Sequence, residues 1–447
     1  MRTIKIAFGL FFLVLLSAWA VTAAVPQATV FSWRGTMVDL TGVLGMGAMS
    51  LAMILALRPA VLEPVLGGLD KGYRLHKWLG ITGLVVSIVH WLWVQGPKWA
   101  VGWGLLERPQ RGPRVPLDSA LFEFLRSQRG LAEGIGEWAF YGAAVLIVVA
   151  LVKVVPYGWF RRLHRLIPVA YLALVFHAVV LMRPEAWTGP LGVVMAVLLA
   201  GGTVAAVASL TGRIGRRRSA KGTIAALAPL PADAGVEVTV ALAGRWPGHD
   251  AGQFAFVTFE TREGKPREGA HPFTISSAWR DDGRLTFLIK ALGDYTATLG
   301  ETLRVGDAVT VEGPYGRFDF AGAADRPQIW VAGGIGITPF LARLQALAET
   351  PQEAGPVDLY YCTSLADEGF LARLRGLAEA ARVRLHVLRD PADGRLDSAR
   401  LCGEVPGWRT ADVWFCGPAA FGHALRRGLR AQGLPPRAFH QELFEMR

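Results

Sequence analysis

Six apolar stretches, roughly 4–24, 36–57, 75–95, 136–155, 163–182 and 188–210, fill the first 212 positions of this 447-residue chain. A helix needs about 20 apolar residues to cross a bilayer, and only helices or closed barrels satisfy their backbone groups there. The stretches therefore predict a bundle of six membrane-spanning helices. Overall, 52% of residues are hydrophobic and mean hydropathy is +0.33, with the apolar excess concentrated in this half. The remainder has the texture of soluble α/β protein. Arg2 and Lys5 before the first stretch, and small residues at Ala20–Ala24, also give it the look of a signal peptide. Its apolar run is long for one, and six spans keep both ends of the bundle on one side.

Formal net charge is +11. Much of the excess flanks apolar segments, as in Arg213, Arg216, Arg217, Arg218 and Lys221, which argues for a membrane edge and against a nucleic-acid partner. With six spans, that cluster shares one face with Arg2, Lys5, Arg58, Lys71, Arg74, Lys77, Lys153, Arg161, Arg162 and Arg165. The positive-inside rule makes that face cytoplasmic. The expectation is a multi-pass protein of the cell (inner) membrane whose C-terminal half lies in the cytoplasm. The connection 96–135 holds six basic residues mixed with acids and reads as a spacer or docking loop. Three cysteines, Cys362, Cys402 and Cys416, show no CxxC spacing and fit a reducing compartment.

Four of the nine histidines sit in the apolar half: His76 and His90 on the third stretch, His164 and His177 on the fifth. A titratable residue at bilayer depth is a functional hypothesis by default. The spacings are 14 and 13 residues, so each helix offers one imidazole near each leaflet, about 21 Å apart for 14 residues. His76 with His164 would hold an inner haem iron, and His90 with His177 an outer one. Two imidazoles fill both axial positions and favour electron transfer. At about 100° per residue, 14 residues return within roughly 40° of the same face, while 13 miss by roughly 140°. Pro168, four residues after His164, can kink that helix. Interhelical hydrogen bonding is the plainer role for intramembrane histidines, and it explains two matched pairs less well than one residue.

After Lys221 come short alternating runs, Val236–Leu242, Gln253–Phe259, Leu285–Ile289 and Ala308–Val311, which predict a small antiparallel barrel. Within it His271-Pro272-Phe273-Thr274-Ile275-Ser276-Ser277 offers a polar residue, an aromatic and hydroxyls on one extended segment. Gly293-Asp294-Tyr295-Thr296 offers a glycine-led turn whose amides can approach a phosphate. Gly313-Pro314-Tyr315-Gly316 closes the barrel. From about 323 the pattern is strand–helix–strand. Strand Gln328–Ala332 runs through Gly333-Gly334-Ile335-Gly336-Ile337-Thr338-Pro339 into a helix over Phe340–Glu349, a turn that sets phosphate against helix N-terminal amides. It is not the GxGxxG fingerprint, and no acid lies at the usual distance on a clear second strand end. Strands at Val357–Cys362, Arg384–Leu388 and Asp412–Cys416 imply a parallel sheet, with Cys416-Gly417-Pro418 at its carboxyl edge. Taken alone, Cys416 is as readily a small buried hydrophobe.

In this order the motifs resemble those of the ferric reductase and NADPH oxidase superfamily, over nearly the whole chain. The resemblance implies a multi-domain protein: a six-span α-helical di-haem domain (1–212), an antiparallel β-barrel FAD domain (219–322) and an α/β parallel-sheet NAD(P) domain (323–447). It implies that His271, Pro272, Phe273, Thr274, Ser276 and Ser277, with Gly293 and Thr296, contact FAD. It assigns Gly333, Gly334, Gly336, Thr338, Pro339, Gly417 and Pro418 to NADPH or NADH, with Cys416 near hydride transfer. Phe444, in Phe439-His440-Gln441-Glu442-Leu443-Phe444, would cover the flavin. The histidine spacings also match those of the superfamily's eukaryotic oxidases, implying two b-type haems. Those oxidases carry one more histidine four residues beyond the outer ligand, where this chain has Val94.

The implied activity is electron transfer from cytoplasmic NAD(P)H through FAD and both haems to an extracytoplasmic acceptor. Ferric chelate is the first expectation and dioxygen, giving superoxide, the second. A haem relay feeding a quinone or periplasmic protein is the rival of another class. Thr363 and Ser364 could bond a 2′-phosphate, and Arg373, Arg375 and Arg389 could reach one.

Overall fold

The computed structural model describes residues 2–23, 25–109, 119–152, 154–230, 234–261, 264, 267–320, 326–350, 355–364 and 367–442. The chain divides into two compact units, the first ending at Ile214 and the second beginning at Gly215.

The first unit is all helix: α1 (Arg2–Thr22), α2 (Val30–Ala56), α3 (Leu62–Leu66), α4 (Leu69–Gly102), α5 (Ala120–Ser127), α6 (Arg129–Leu151), α7 (Tyr157–His164), α8 (Ile167–Leu181), α9 (Pro184–Trp187) and α10 (Pro190–Leu210). Among the described residues six segments are long and apolar enough to cross a membrane: Thr3–Thr22, Val30–Ala56, Leu69–Gly102, Arg129–Leu151, Gly158–Leu181 and Pro190–Leu210. Small residues seat α2 among its neighbours, since helices surrounded by lipid associate through close packing. A Cβ at Gly47 would meet Leu15 of α1 at 2.6 Å, and one at Gly83 of α4 would meet Met49 at 3.3 Å. Ser50 and Tyr171 share a buried hydrogen bond of 2.8 Å between α2 and α8. Leu10, Leu13, Val193, Val197 and Val204 point outward, as lipid-facing side chains do.

Two sequence expectations change here. The supposed loop 96–135 is largely helical: α4 continues to Gly102, α5 covers Ala120–Ser127 and α6 starts at Arg129. Residues 110–118 lie outside the described residues. The fifth span is two helices, because α7 stops at His164 and α8 restarts at Ile167 with Pro168 in its first turn, where a missing N–H costs no hydrogen bond.

The second unit opens with strands β1 (Ser219–Pro229), β2 (Gly235–Leu242), β3 (Phe254–Phe259), β4 (His271–Thr274) and β5 (Arg284–Lys290), then helix α11 (Asp294–Thr302) and strand β6 (Ala308–Tyr315). The six strands form one antiparallel sheet in the order β4-β3-β6-β1-β2-β5. A bridge between Ile275 and Phe287 brings its two edges together, so the barrel nearly closes. Val238, Val240, Val257, Phe259, Phe287 and Val311 fill it. Strand β1 went unread because it grows directly out of the Arg216–Arg218 cluster; its first six residues alternate exposed and buried.

The chain continues with β7 (Gln328–Gly333), α12 (Thr338–Glu349), β8 (Val357–Thr363), α13 (Glu368–Ala380), β9 (Arg384–Arg389), α14 (Ser398–Glu404), β10 (Asp412–Cys416), α15 (Ala419–Ala431) and β11 (Phe439–Gln441). These five strands form a parallel sheet ordered β11-β10-β7-β8-β9. Barrel and sheet share one apolar cluster, in which Leu288, Phe318 and Phe320 meet Trp330, Phe340 and Trp414. Ala278 N–H donates to Gln345 Oε1 at 3.1 Å, and Arg280 pairs with Glu349 at 2.6 Å.

Candidate functional site

In the membrane unit the four histidines meet as two pairs. The rings of His76 and His164 lie 6.1 Å apart between centres, and those of His90 and His177 6.4 Å apart. Two metal–imidazole bonds of about 2 Å in line, each ring centre about 1 Å behind its nitrogen, would separate the centres by about 6 Å. The residues therefore fit an iron held between each pair. The second ring nitrogen supports the fit. Nδ1 of His76 lies 2.9 Å from Ala52 O, that of His177 2.8 Å from Ala132 O, and that of His90 3.1 Å from both Val38 O and Thr41 Oγ1. A proton on Nδ1 satisfies these carbonyls and leaves Nε2 as the free ligand atom. The Thr41 hydroxyl donates to Met37 O at 2.5 Å, so its oxygen accepts from His90. Nδ1 of His164 is buried and has no such partner among the described residues.

Glycine makes room for these rings. A Cβ on Gly136 of α6 would overlap the His177 imidazole, and one on Gly42 of α2 would lie 3.5 Å from His90. The break after His164 accounts for the 13-residue spacing: the two halves of the fifth span need not share one helical phase. A cavity of about 1280 Å³ surrounds His90 and His177, more than the roughly 300–1,000 Å³ of ordinary ligand pockets. Its polar wall includes Arg34, Asp39, Lys98, Glu133, Glu137 and Arg183. Arg183 pairs with Asp39 at 2.8 Å, and Arg129 with Glu133 at 2.9 Å. Glu137 accepts from Gln95 at 3.1 Å and Tyr141 at 2.7 Å. Val94 O accepts from Arg34 at 3.4 Å.

In the soluble unit the two flavin motifs come together. The His271 ring stacks on Tyr295 at 4.3 Å and 19°, joining β4 to the start of α11; Phe273 lies 6.4 Å from His271. Pro272 and Thr274 are paired with β3. Ser276 Oγ donates to Thr286 O at 2.9 Å and Ser277 Oγ accepts from Thr286 N–H at 3.1 Å, so both hydroxyls fasten the segment to β5. Thr296 Oγ1 accepts from the N–H groups of Leu292 at 3.0 Å and Gly293 at 3.2 Å, shaping the turn that opens α11. Tyr295 was not singled out from sequence, though it sits inside the quoted motif.

The nucleotide motifs also converge. Cys416 pairs with Ala332 across β10 and β7. A Cβ on Gly336 would overlap the Cys416 carbonyl, and one on Gly333 would meet Pro418 at 2.8 Å. A Cβ on Gly417 would lie 3.0 Å from Gly333. Gly334 has φ +58, which glycine adopts without strain. Thr338 and Pro339 open α12, with Thr338 Oγ1 donating to Ile335 O at 3.2 Å. Burial, reinforced by the Glu442 carboxylate, pushes the Cys416 thiol far above its ordinary range, so it stays neutral at physiological pH. Glu442, also unflagged by sequence, accepts from Arg317 N–H at 3.2 Å and so ties the C-terminal segment to the barrel. Phe444 lies outside the described residues.

A helical bundle of six membrane-length spans, joined to a flavin-type barrel and a parallel nucleotide-type sheet, defines a multi-pass membrane oxidoreductase. Residues 41–175 match the family model described as "Ferric reductase like transmembrane component", and residues 221–319 one described as "FAD-binding domain". The chain has the architecture of the ferric reductase and NADPH oxidase superfamily. Curated relatives include the toluate 1,2-dioxygenase electron transfer component of Pseudomonas putida, 32% identical over 38% of this chain and 52% of that protein. An NADPH oxidoreductase of Mycobacterium tuberculosis is 32% identical over 35% of this chain and 42% of its own length. The chain thus spans about half the length of the curated relatives it matches. Among solved structures, flavohemoglobin from Malassezia yamatoensis is similar at a TM-score of 0.48 and 18% identity, covering 90% of this chain and 96% of that one.

Proposed function

We propose that the protein oxidises cytoplasmic NAD(P)H and delivers the electrons across the cell membrane to an extracytoplasmic ferric chelate. Bound FAD would turn a two-electron hydride into single electrons, and two bound b-type haems would relay them. The observation that carries this reading is the pair of opposed imidazole couples, 6.1 and 6.4 Å apart, with three of four Nδ1 atoms against backbone carbonyls. His76 and His164 would hold the inner iron, His90 and His177 the outer one. Gly333 and Gly336 let the turn close onto Cys416–Pro418, and Gly334, beside which an added Cβ would meet open space, leaves room for a pyrophosphate to approach backbone amides at the start of α12. Gly293 does the same at α11, while the stack of His271 on Tyr295 orders the flavin segment. The neutral Cys416 thiol offers bulk and no charge beside the nicotinamide, so its role is positioning.

The basic residues Arg34 and Lys98 beside the His90–His177 cavity favour an anionic acceptor over dioxygen. Val94, standing where the related oxidases have a histidine, points the same way. An absorbance difference spectrum of membranes expressing the protein, beside His90→Leu, tests the core of the proposal: the variant should lose part of the haem signal, and an unchanged spectrum would remove His90 as a ligand. NADH-driven ferric reduction by purified protein in liposomes tests the acceptor. Reduction of an external dye that superoxide dismutase abolishes would favour dioxygen instead, and a requirement for an added quinone or periplasmic protein would favour a relay.

A further inference from the structure

The nucleotide's 2′ substituent should lie at the carboxyl edge of the parallel sheet. In sheets of this type the adenosine ribose sits beyond the strand next to the glycine turn, where an acid meets a 2′-hydroxyl or an arginine meets a 2′-phosphate. That strand is β8, ending at Thr363, which stands in register with Arg389 at the end of β9. Asp390 N–H donates to Thr363 O at 3.0 Å, locking the two strand ends together.

Sequence offered Arg373, Arg375 and Arg389 as phosphate ligands, and the structure disposes of each. Arg373 donates to both oxygens of Glu237 on β2, at 2.8 and 3.2 Å, fastening α13 to the barrel. Arg389 Nη2 donates to Glu368 Oε1 at 2.7 Å, and Arg375 Nη1 to Glu368 Oε2 at 3.5 Å. Glu368 is the first residue of α13, where the helix dipole favours a negative charge. One carboxylate therefore holds both remaining guanidinium groups at the edge where a 2′-phosphate would need them. It also supplies the acid that the sequence seemed to lack, since helix α13 brings it to the end of β8 from five residues beyond Thr363.

We infer that Glu368 makes this protein select NADH over NADPH. The inference rests on the reading that the soluble unit oxidises a nicotinamide nucleotide. A phosphomonoester of charge about −1.5 to −2 could reach the two arginines only by displacing the carboxylate that already occupies them. A 2′-hydroxyl faces no such obstacle.

The test is steady-state ferricyanide reduction by the full-length protein purified in detergent, with each nucleotide. Wild type should favour NADH in kcat/KM. Glu368→Gln should raise kcat/KM for NADPH by about tenfold, the scale of one charge removed a few ångströms from a phosphate in water, and chiefly through KM. Adding Arg389→Leu to that variant should cancel the gain, which a general loosening of α13 would not explain. A wild-type preference for NADPH, or an unchanged NADPH-to-NADH ratio in Glu368→Gln, would overturn the inference alone. Failure to oxidise either nucleotide would overturn the reading beneath it, and the inference with it.

Discussion

In the membrane unit the candidate site consists of four side chains on three helices, whereas in the soluble unit it consists mostly of backbone at close-packed glycines. The solvent explains the difference. A helix in lipid must keep its N–H and C=O groups bonded to itself, so only side chains can reach a bound group. A strand-to-helix turn in water leaves amide donors open, and any added side chain obstructs them. The membrane site should therefore fail when a side chain is removed or pushed aside, and the soluble site when one is added.

The sharpest challenge to that contrast is Gly336→Val. Its side chain would collide with the Cys416 carbonyl, and NAD(P)H-driven ferricyanide reduction should fall about a hundredfold, as misplacement by an ångström does. Haem absorbance should be retained; activity within threefold of wild type would break the comparison. Next comes Gly136→Leu, which crowds the His177 imidazole. If each histidine pair holds one haem, as proposed, one of the two would be lost, so Soret absorbance per protein should fall by about half, with flavin content unchanged. A full complement of haem would show that the glycine is dispensable.

The third prediction concerns pH and the soluble unit only. Burial pushes the Cys362 thiol from an ordinary 9.0 up to about 11. A group with a raised folded-state pKa contributes stability that is complete below its unfolded value and disappears as pH rises through the folded one. Denaturation monitored at the soluble unit should steepen between about pH 9 and 11, and Cys362→Ala should flatten that segment; an identical profile would remove Cys362 as its origin. The smallest effect is expected from Thr41→Val, which deletes one acceptor for His90 Nδ1. A less basic imidazole stabilises oxidised iron less well. In the proposed di-haem arrangement the midpoint potential of the haem held by His90 should rise on the order of 30 mV, corresponding to somewhat under 1 kcal/mol for one hydrogen bond. A redox titration in which both potentials stay fixed would contradict this.

Much of this was legible in sequence because each element carried its own periodicity. The apolar runs announced six spans, and strand Asp412–Cys416 begins and ends where its pattern said. Other parts depend on tertiary neighbours. Strand β1 hid behind a basic cluster, and α5 hid in a loop whose composition resembled a spacer. The Thr41 contact with His90 and the space Gly136 leaves for His177 join residues 49 and 41 positions apart in sequence; no local pattern signals them. Glu368 escaped notice because a helix, not the strand end, delivers it.

The joint Arg165–Leu166 between α7 and α8 carries a consequence for how this bundle tolerates change. Each residue inserted into or deleted from the joint would swing the rest of the span by about 100° and slide it by about 1.5 Å, turning the His177 imidazole away from that of His90 while leaving the hydropathy of the segment intact. A length change there would produce a protein that still inserts and still spans but has the His90–His177 pair out of phase, so this two-residue joint should be less forgiving of indels than the apolar helices on either side are of substitutions.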